Sequence, residues 1–304
     1  MFSASSQIPK QASSFSGCQD SVYKDPAPSD DQASVQTDCL DSEAKFAGFP
    51  EPYLWVKNLS HRFAGRPGQP DQLVLDQINF RIFPGQFTGL LGESGSGKST
   101  LARLISGQLR VQEGEILLNG QVISRLSRRQ RRRAKLGIQM VFQDPFSSLH
   151  PQQKIGRQLE EPLILQTKLG PADRWAKAQH MLEEVGLDPE IADRYPRDLS
   201  GGQQQRVAIA CALITEPELL IADEPVSALD PSVQAQILNL LMEVRQKQSF
   251  ACLFISHDLD VVSYLCDRVA VLRDGKICEE NKVDRLFTHP QHPYTQELLS
   301  YMRE

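Results

Sequence analysis

Apolar residues in this chain come in short dense blocks separated by charge, glycine and proline. Gln86 to Leu91, Ile138 to Phe142, Glu218 to Glu224 and Leu253 to Ser256 are each mostly apolar and do not alternate with polar positions. Blocks of that length suit strands buried on both faces of a parallel sheet. They place an α/β core in 86–110, 136–143 and 218–257. The spacing changes over Ala172 to Val185, where Trp175, Ala178, Met181, Leu182 and Val185 recur at the period of a helix with one buried stripe. Gln204 to Ile214 is also helix-compatible. Residues 144–199, punctuated by Pro151 and Pro162, therefore read as a mostly helical insertion in the core. Leu73 to Ile82 and Gly114 to Asn119 read as strands of an antiparallel layer. Arg268 to Glu280 reads as a strand pair turned at Asp274-Gly275, a dipeptide suited to a tight hairpin. A short tail, 281–304, follows.

Residues 1–50 show no such periodicity. Three lysines stand against seven acids there, −4 of the net −5 for the whole chain, and serine is frequent. A disordered acidic extension is expected; it lacks the basic start and continuous apolar core of a signal peptide. The folded unit is expected over 51–280. A chain of 304 residues that is 40% hydrophobic suffices to bury a full core. No stretch approaches the roughly 18 apolar residues of a membrane span. The six cysteines, at 18, 39, 211, 252, 266 and 278, form no Cys-x-x-Cys pair, and Cys211 and Cys252 sit in apolar segments. They read as small core residues in a reducing cytosol. Arg125 to Lys135 holds six arginines and one lysine without interleaved aromatics. In an acidic chain it reads as a solvated helix face, and no nucleic-acid partner is expected. His289 and His292 are spaced for one helix face, but Pro290 and Pro293 interrupt them, so a capping segment fits better than a metal site.

Chemistry concentrates in Gly92-Glu93-Ser94-Gly95-Ser96-Gly97-Lys98-Ser99-Thr100, which fits G-x-x-x-x-G-K-[ST] between a strand-like run and a helix. Gly95 and Gly97 let successive backbone N–H groups turn toward one anion, and the helix that follows adds its positive end. Lys98 is placed to reach β- and γ-phosphates, and the Ser99 hydroxyl to ligate Mg²⁺. Glu218 to Glu224 ends in two carboxylates: Asp223 is placed to hold the Mg²⁺ water shell, and Glu224 to polarise the water that attacks the γ-phosphate. A second phosphate-recognition element is Leu199-Ser200-Gly201-Gly202-Gln203, where Ser200 is a good helix N-cap and two glycines leave N–H groups open. One nucleotide needs one phosphate loop, so this second element suits the ATP of a partner subunit.

That pentapeptide, following a phosphate loop, resembles the signature of the ATP-binding-cassette superfamily. The resemblance implies head-to-tail dimers that sandwich two ATPs between phosphate loop and signature. It also assigns the other elements, which stand in the family's order. Gln143 matches the glutamine that touches Mg²⁺ and faces the membrane partner. Ser227-Ala228-Leu229-Asp230 matches the loop that crosses the dimer interface. His257 matches the histidine that contacts the γ-phosphate, and Phe63 lies near the aromatic ring that stacks on adenine, where tyrosine is commoner. The implied fold is a P-loop NTPase cassette with an antiparallel β layer and a helical insertion subdomain.

Gln143 to Pro151, Pro231 to Leu241 and His289 to Thr295 are similar to the peptide/nickel importer ATPases, over roughly residues 53 to 300. This implies an ATP-hydrolysing subunit, peripheral on the cytoplasmic face of the inner membrane. Its implied partners are two permease subunits, a second cassette ATPase (a different chain is favoured) and, indirectly, a solute-binding protein. Many peptide-importer ATPases continue past the His-Pro-Tyr-Thr segment into a cysteine-bearing tail that binds an iron–sulfur cluster. This sequence stops at Glu304, which tilts the expectation toward nickel or metal chelates, with oligopeptides or dipeptides as the alternative. Between phosphate loop and signature lie about a hundred residues, too few for the coiled-coil insertion of chromosome-maintenance cassettes, and a single cassette argues against a ribosome factor.

Overall fold

Two sheets back onto each other in the computed structural model, which describes residues 51–65, 68–127, 130, 137–144 and 148–301. The extension expected over 1–50, most of the basic cluster with its flank (128, 129 and 131–136) and residues 145–147 lie outside the described residues.

The smaller sheet is antiparallel, in the order β2-β1-β4-β5, from β1 (Leu54–Phe63), β2 (Gln72–Ile82), β4 (Glu113–Leu118) and β5 (Gln121–Val122). The strands expected at 73–82 and 114–119 are β2 and β4, whose ends fall within one residue of the expected ones. β1, between them in the sheet, has no counterpart among the expected strands. Its register with β2 slips between Val56 and Leu59 and again on either side of His61, and Asn58 sits at φ +46°. Such bulges break the two-residue alternation by which a half-buried strand is read.

The larger sheet runs β10-β9-β3-β8-β7-β6, from β3 (Phe87–Leu91), β6 (Ile138–Val141), β7 (Leu219–Asp223), β8 (Ala251–Ile255), β9 (Arg268–Arg273) and β10 (Lys276–Lys282). All neighbours in it are parallel except β9 and β10, the hairpin expected at Asp274-Gly275. Every residue of β3, β7 and β8 is buried, as the unbroken apolar blocks require. Alternate side chains then separate into two cores. Leu219, Ile221, Leu253 and Ile255 face the antiparallel sheet and α1 (Lys98–Ser106). Leu220, Ala222, Cys252 and Phe254 face the remaining helices.

Those helices are α2 (Ile155–Gln166), α3 (Pro171–Glu184), α4 (Gly201–Leu213), α5 (Pro231–Lys247), α6 (Leu259–Leu265), α7 (Val283–Thr288) and α8 (Pro293–Tyr301). In α3 the buried stripe is Ala178, Met181 and Leu182, three of the five positions that give the helical period. Pro293 is the first residue of α8, where proline's missing N–H costs nothing. His289 follows α7 and His292 precedes α8, so the two histidines share no helix face.

The amino end of β3 is stapled. Asp267 Oδ2 accepts from the Phe87 N–H at 2.8 Å and from the Arg245 guanidinium at 2.6 Å. The same guanidinium lies 4.3 Å from the Phe87 ring. The carboxyl end of β3, one strand length away, leads into Gly92. Burial pushes the Cys252 thiol up and holds the Cys266 thiol well above the ordinary range.

Candidate nucleotide-binding site

Parallel strands deliver their carboxyl ends to one edge of the sheet, and the candidate residues collect there. Leaving β3, the chain makes the turn 92–97 and enters α1 at Lys98. Gly97 stands immediately before that helix at φ +110°, and a Cβ there would lie 2.8 Å from Leu75 Cδ2 and 3.0 Å from the Val74 carbonyl. Only glycine fits both the backbone angle and the space. Lys98 is 6% exposed, and its ammonium donates to the carbonyls of Gly92 and Glu93, each at 2.7 Å. Burial lowers its pKa, while Glu224, Asp223 and Glu93 raise it again.

β7 is adjacent to β8, which pairs with β3, and so places Asp223 beside the start of α1. The Ser99 hydroxyl donates to Asp223 Oδ1 at 3.2 Å. Burial raises the Asp223 pKa, and the hydrogen bond from Ser99 opposes the rise. A hydroxyl and a carboxylate held together are hard oxygen donors, the kind that suit Mg²⁺ already carrying water or phosphate oxygens.

Glu224 follows at φ +48°, and its N–H donates to the Ile255 carbonyl at 3.0 Å. That bond ties the carboxylate's backbone to the end of β8. Gln143, just past β6, donates from Nε2 to Glu224 Oε2 at 3.1 Å and to Ser227 Oγ at 3.4 Å. Ser227 in turn donates to the Glu224 carbonyl at 3.1 Å. His257, just past β8, brings Nδ1 to 3.4 Å from Glu224 Oε1. Two loops thus converge on a carboxylate carried by a third. The sequence alone does not give Ser227 its part in holding Gln143, because only the folded loops bring those positions together.

The other expected residues lie apart. Ser200 caps α4 by a reciprocal pair: its Oγ accepts from the Gln203 N–H at 3.3 Å, and Gln203 Oε1 accepts from the Ser200 N–H at 3.0 Å. A Cβ on Gly201 would meet nothing within 4 Å, whereas one on Gly202 would lie 2.6 Å from Val233 Cγ1 of α5. No hydrogen bond or ion pair among the described residues joins 200–203 to 92–100. Asp230 caps α5, accepting from the N–H groups of Ser232 and Val233 at 3.1 and 3.0 Å. Its hydrogen bond from the Ser232 hydroxyl, above all, lowers its pKa. Phe63 ends β1 and is 41% exposed, its ring edge-on to His61 at 4.9 Å between centroids.

A parallel core with a phosphate loop at its carboxyl edge, an antiparallel sheet on one side and a helical insertion defines the ATP-binding-cassette fold. The family described as ABC transporter matches residues 75–227. The dipeptide transport ATP-binding protein DppF of Escherichia coli is 43% identical over 258 residues, 84% of this chain and 77% of that protein. The di/tripeptide transport ATP-binding protein DppF of Pseudomonas aeruginosa is 45% identical over 233 residues, 77% of this chain and 72% of that one. Among solved structures, the ATP-binding cassette MJ0796, dimeric in a post-hydrolysis state with ADP and Pi, is 30% identical with a TM-score of 0.69, covering 76% of this chain and 98% of that one. The chain belongs to the ABC transporter family, and it is an ATPase of that family.

Proposed function

We propose that this chain is the ATP-hydrolysing subunit of a peptide importer. The observation that carries the catalytic part is the convergence of Gln143 and His257 on Glu224, next to the Ser99–Asp223 pair and Lys98. Lys98 and the loop 92–100 hold the β- and γ-phosphates. Ser99, Asp223 and Gln143 hold Mg²⁺, which supplies charge neutralisation at the phosphates. Glu224 takes the proton of the attacking water, His257 contacts the γ-phosphate, and Phe63 stacks on adenine. Phosphoryl transfer asks for positioning and charge more than for covalent chemistry, which is what these groups provide.

Ser200, Gly201, Gly202 and Gln203 serve the ATP of a second cassette. The dimer recorded for MJ0796 supports that reading. A different ATPase chain is the proposed second subunit, and closure of the pair on two ATPs drives two permease subunits between their inward- and outward-facing states. ATP contributes by binding the closed pair better than the open one. Residues 51–280 form the cassette, 144–199 its rotating insertion, 281–304 a tail, and 1–50 an extension outside the cassette. No helix among the described residues is long and apolar enough to cross a membrane. Attachment to the cytoplasmic face through the permeases supplies the membrane contact.

The relatives' names speak of dipeptides and tripeptides, and another, 45% identical over 82% of this chain, of glutathione. The proposed cargo is therefore a short peptide in place of the nickel favoured from the sequence. Deleting the gene should abolish uptake of labelled di- or tripeptides and leave nickel uptake unchanged. Lost nickel uptake with peptide uptake intact would reverse the cargo assignment.

A further inference from the structure

Phe63 stands at the last position of β1, and two side chains from outside the nucleotide loops set its place. On one edge of β1, the ladder with β4 ends at the pair Ser60–Glu113. The Gln112 side chain carries it further: Oε1 accepts from the Arg62 N–H at 2.7 Å, and Nε2 donates to the Arg62 carbonyl at 2.9 Å. Both backbone groups of Arg62 are engaged, and the peptide leading into Phe63 is fixed with them. On the other edge, Ser60 Oγ accepts from the Gln77 N–H of β2 at 3.0 Å. The register slips on either side of His61 leave Ser60 and His61 both buried.

His61 is 5% exposed, and its ring meets that of Phe63 at 84°, an edge-to-face pair. Its Nδ1 is buried without a hydrogen-bond partner among the described residues, so the imidazole is used here as a ring. Burial lowers its pKa, which keeps it neutral and brings no charge to a phosphate. His61 pairs with Leu75 across β1 and β2, and residues directly opposite on paired strands share a face. Leu75 Cδ2 in turn closes the space beside Gly97. A row Gly97, Leu75, His61, Phe63 thus runs from the phosphate loop to the exposed ring. We propose that His61 and Gln112 are positioning residues for the base platform, Gln112 fixing the backbone that carries Phe63 and His61 fixing its ring.

The proposal rests on reading Phe63 as the ring that stacks on adenine, and the test separates the two. The full-length purified chain is titrated with Mg·ATP and with Mg·tripolyphosphate, which offers phosphates without a base. His61→Ala and Gln112→Ala should each bind Mg·ATP about three- to tenfold more weakly and tripolyphosphate within about twofold of the parent. His61→Phe keeps a ring against Phe63 and should restore the ATP affinity. ATP affinity within about twofold of parental in either alanine variant overturns the proposal. So does an equal loss for both ligands, because the residue then serves the phosphate loop or the fold as a whole. Failure of His61→Phe to restore binding overturns it too. Phe63→Ala is measured alongside: if it binds Mg·ATP as the parent does, the stacking reading fails, and this proposal falls with it. If Phe63→Ala weakens ATP alone while the other alanine variants do not, the stacking reading stands and only this proposal fails.

Discussion

Glu224→Gln should hydrolyse ATP on the order of 10²–10⁴ times more slowly than the parent, about 3–5 kcal/mol of barrier, while still binding it. The amide keeps the size of the side chain and can still pair with Gln143 Nε2, which lies 3.1 Å from Glu224 Oε2. What disappears is the carboxylate proposed to accept the proton of the attacking water. Lys98, Ser99 and Asp223 are untouched, so affinity for Mg·ATP should change far less than turnover. A closed ATP-bound dimer should accumulate and run as a larger species on sizing in Mg·ATP. Turnover near the parental rate would show that Glu224 is not the catalytic carboxylate.

Lys98→Ala should fail one step earlier, at binding. Lys98 is buried among Glu224, Asp223 and Glu93, so its removal leaves three carboxylates facing a triphosphate without the cation that offsets them. Each charge-assisted hydrogen bond contributes about 1.5–3 kcal/mol, so affinity for Mg·ATP should fall roughly a hundredfold. Calorimetric titration of the purified chain checks this. A fall of less than about fivefold would mean that the backbone N–H groups and the helix end hold the phosphates by themselves.

The two variants fail differently, and their residues are legible in the sequence for different reasons. Gly92 to Ser99 is one local segment whose geometry follows from its own glycines and the helix behind it. Asp223 and Glu224 end an apolar block whose composition already marks a buried strand. Gln143 and His257 are another matter. They stand 81 and 33 residues from Glu224, and only the strand order β3-β8-β7-β6 brings their loops together. Their roles come from family resemblance. Ser227 as a partner of Gln143 stays hidden in the sequence because the 3.4 Å contact depends on side-chain placement in two loops.

In the fold, the buried strands are legible because burial on both faces leaves unbroken apolar runs. β1 is not, since its bulges put Leu59, Ser60 and His61 all among the buried residues. α8 reads only as part of a tail because the approach to it is held from outside the segment, by Glu279 of β10. The tilt toward nickel draws on the end of the sequence, whereas an importer reads its cargo on other chains.

The amino and carboxyl edges of the parallel strands differ in genetic consequence. Asp267→Ala would remove the acceptor of the Phe87 N–H and of Arg245, far from any residue that faces nucleotide. With Asp267 half-exposed, the loss is about 1–2 kcal/mol, enough to reduce abundance several-fold. Each surviving molecule would still work, so the allele should be recessive. A Glu224→Gln subunit reaches its partners and stalls there, so its allele should be dominant. Peptide uptake in cells carrying a wild-type copy beside each variant distinguishes them: near normal with Asp267→Ala, depressed with Glu224→Gln. Equal uptake in the two strains would mean that the two edges of the sheet are not separable by inheritance.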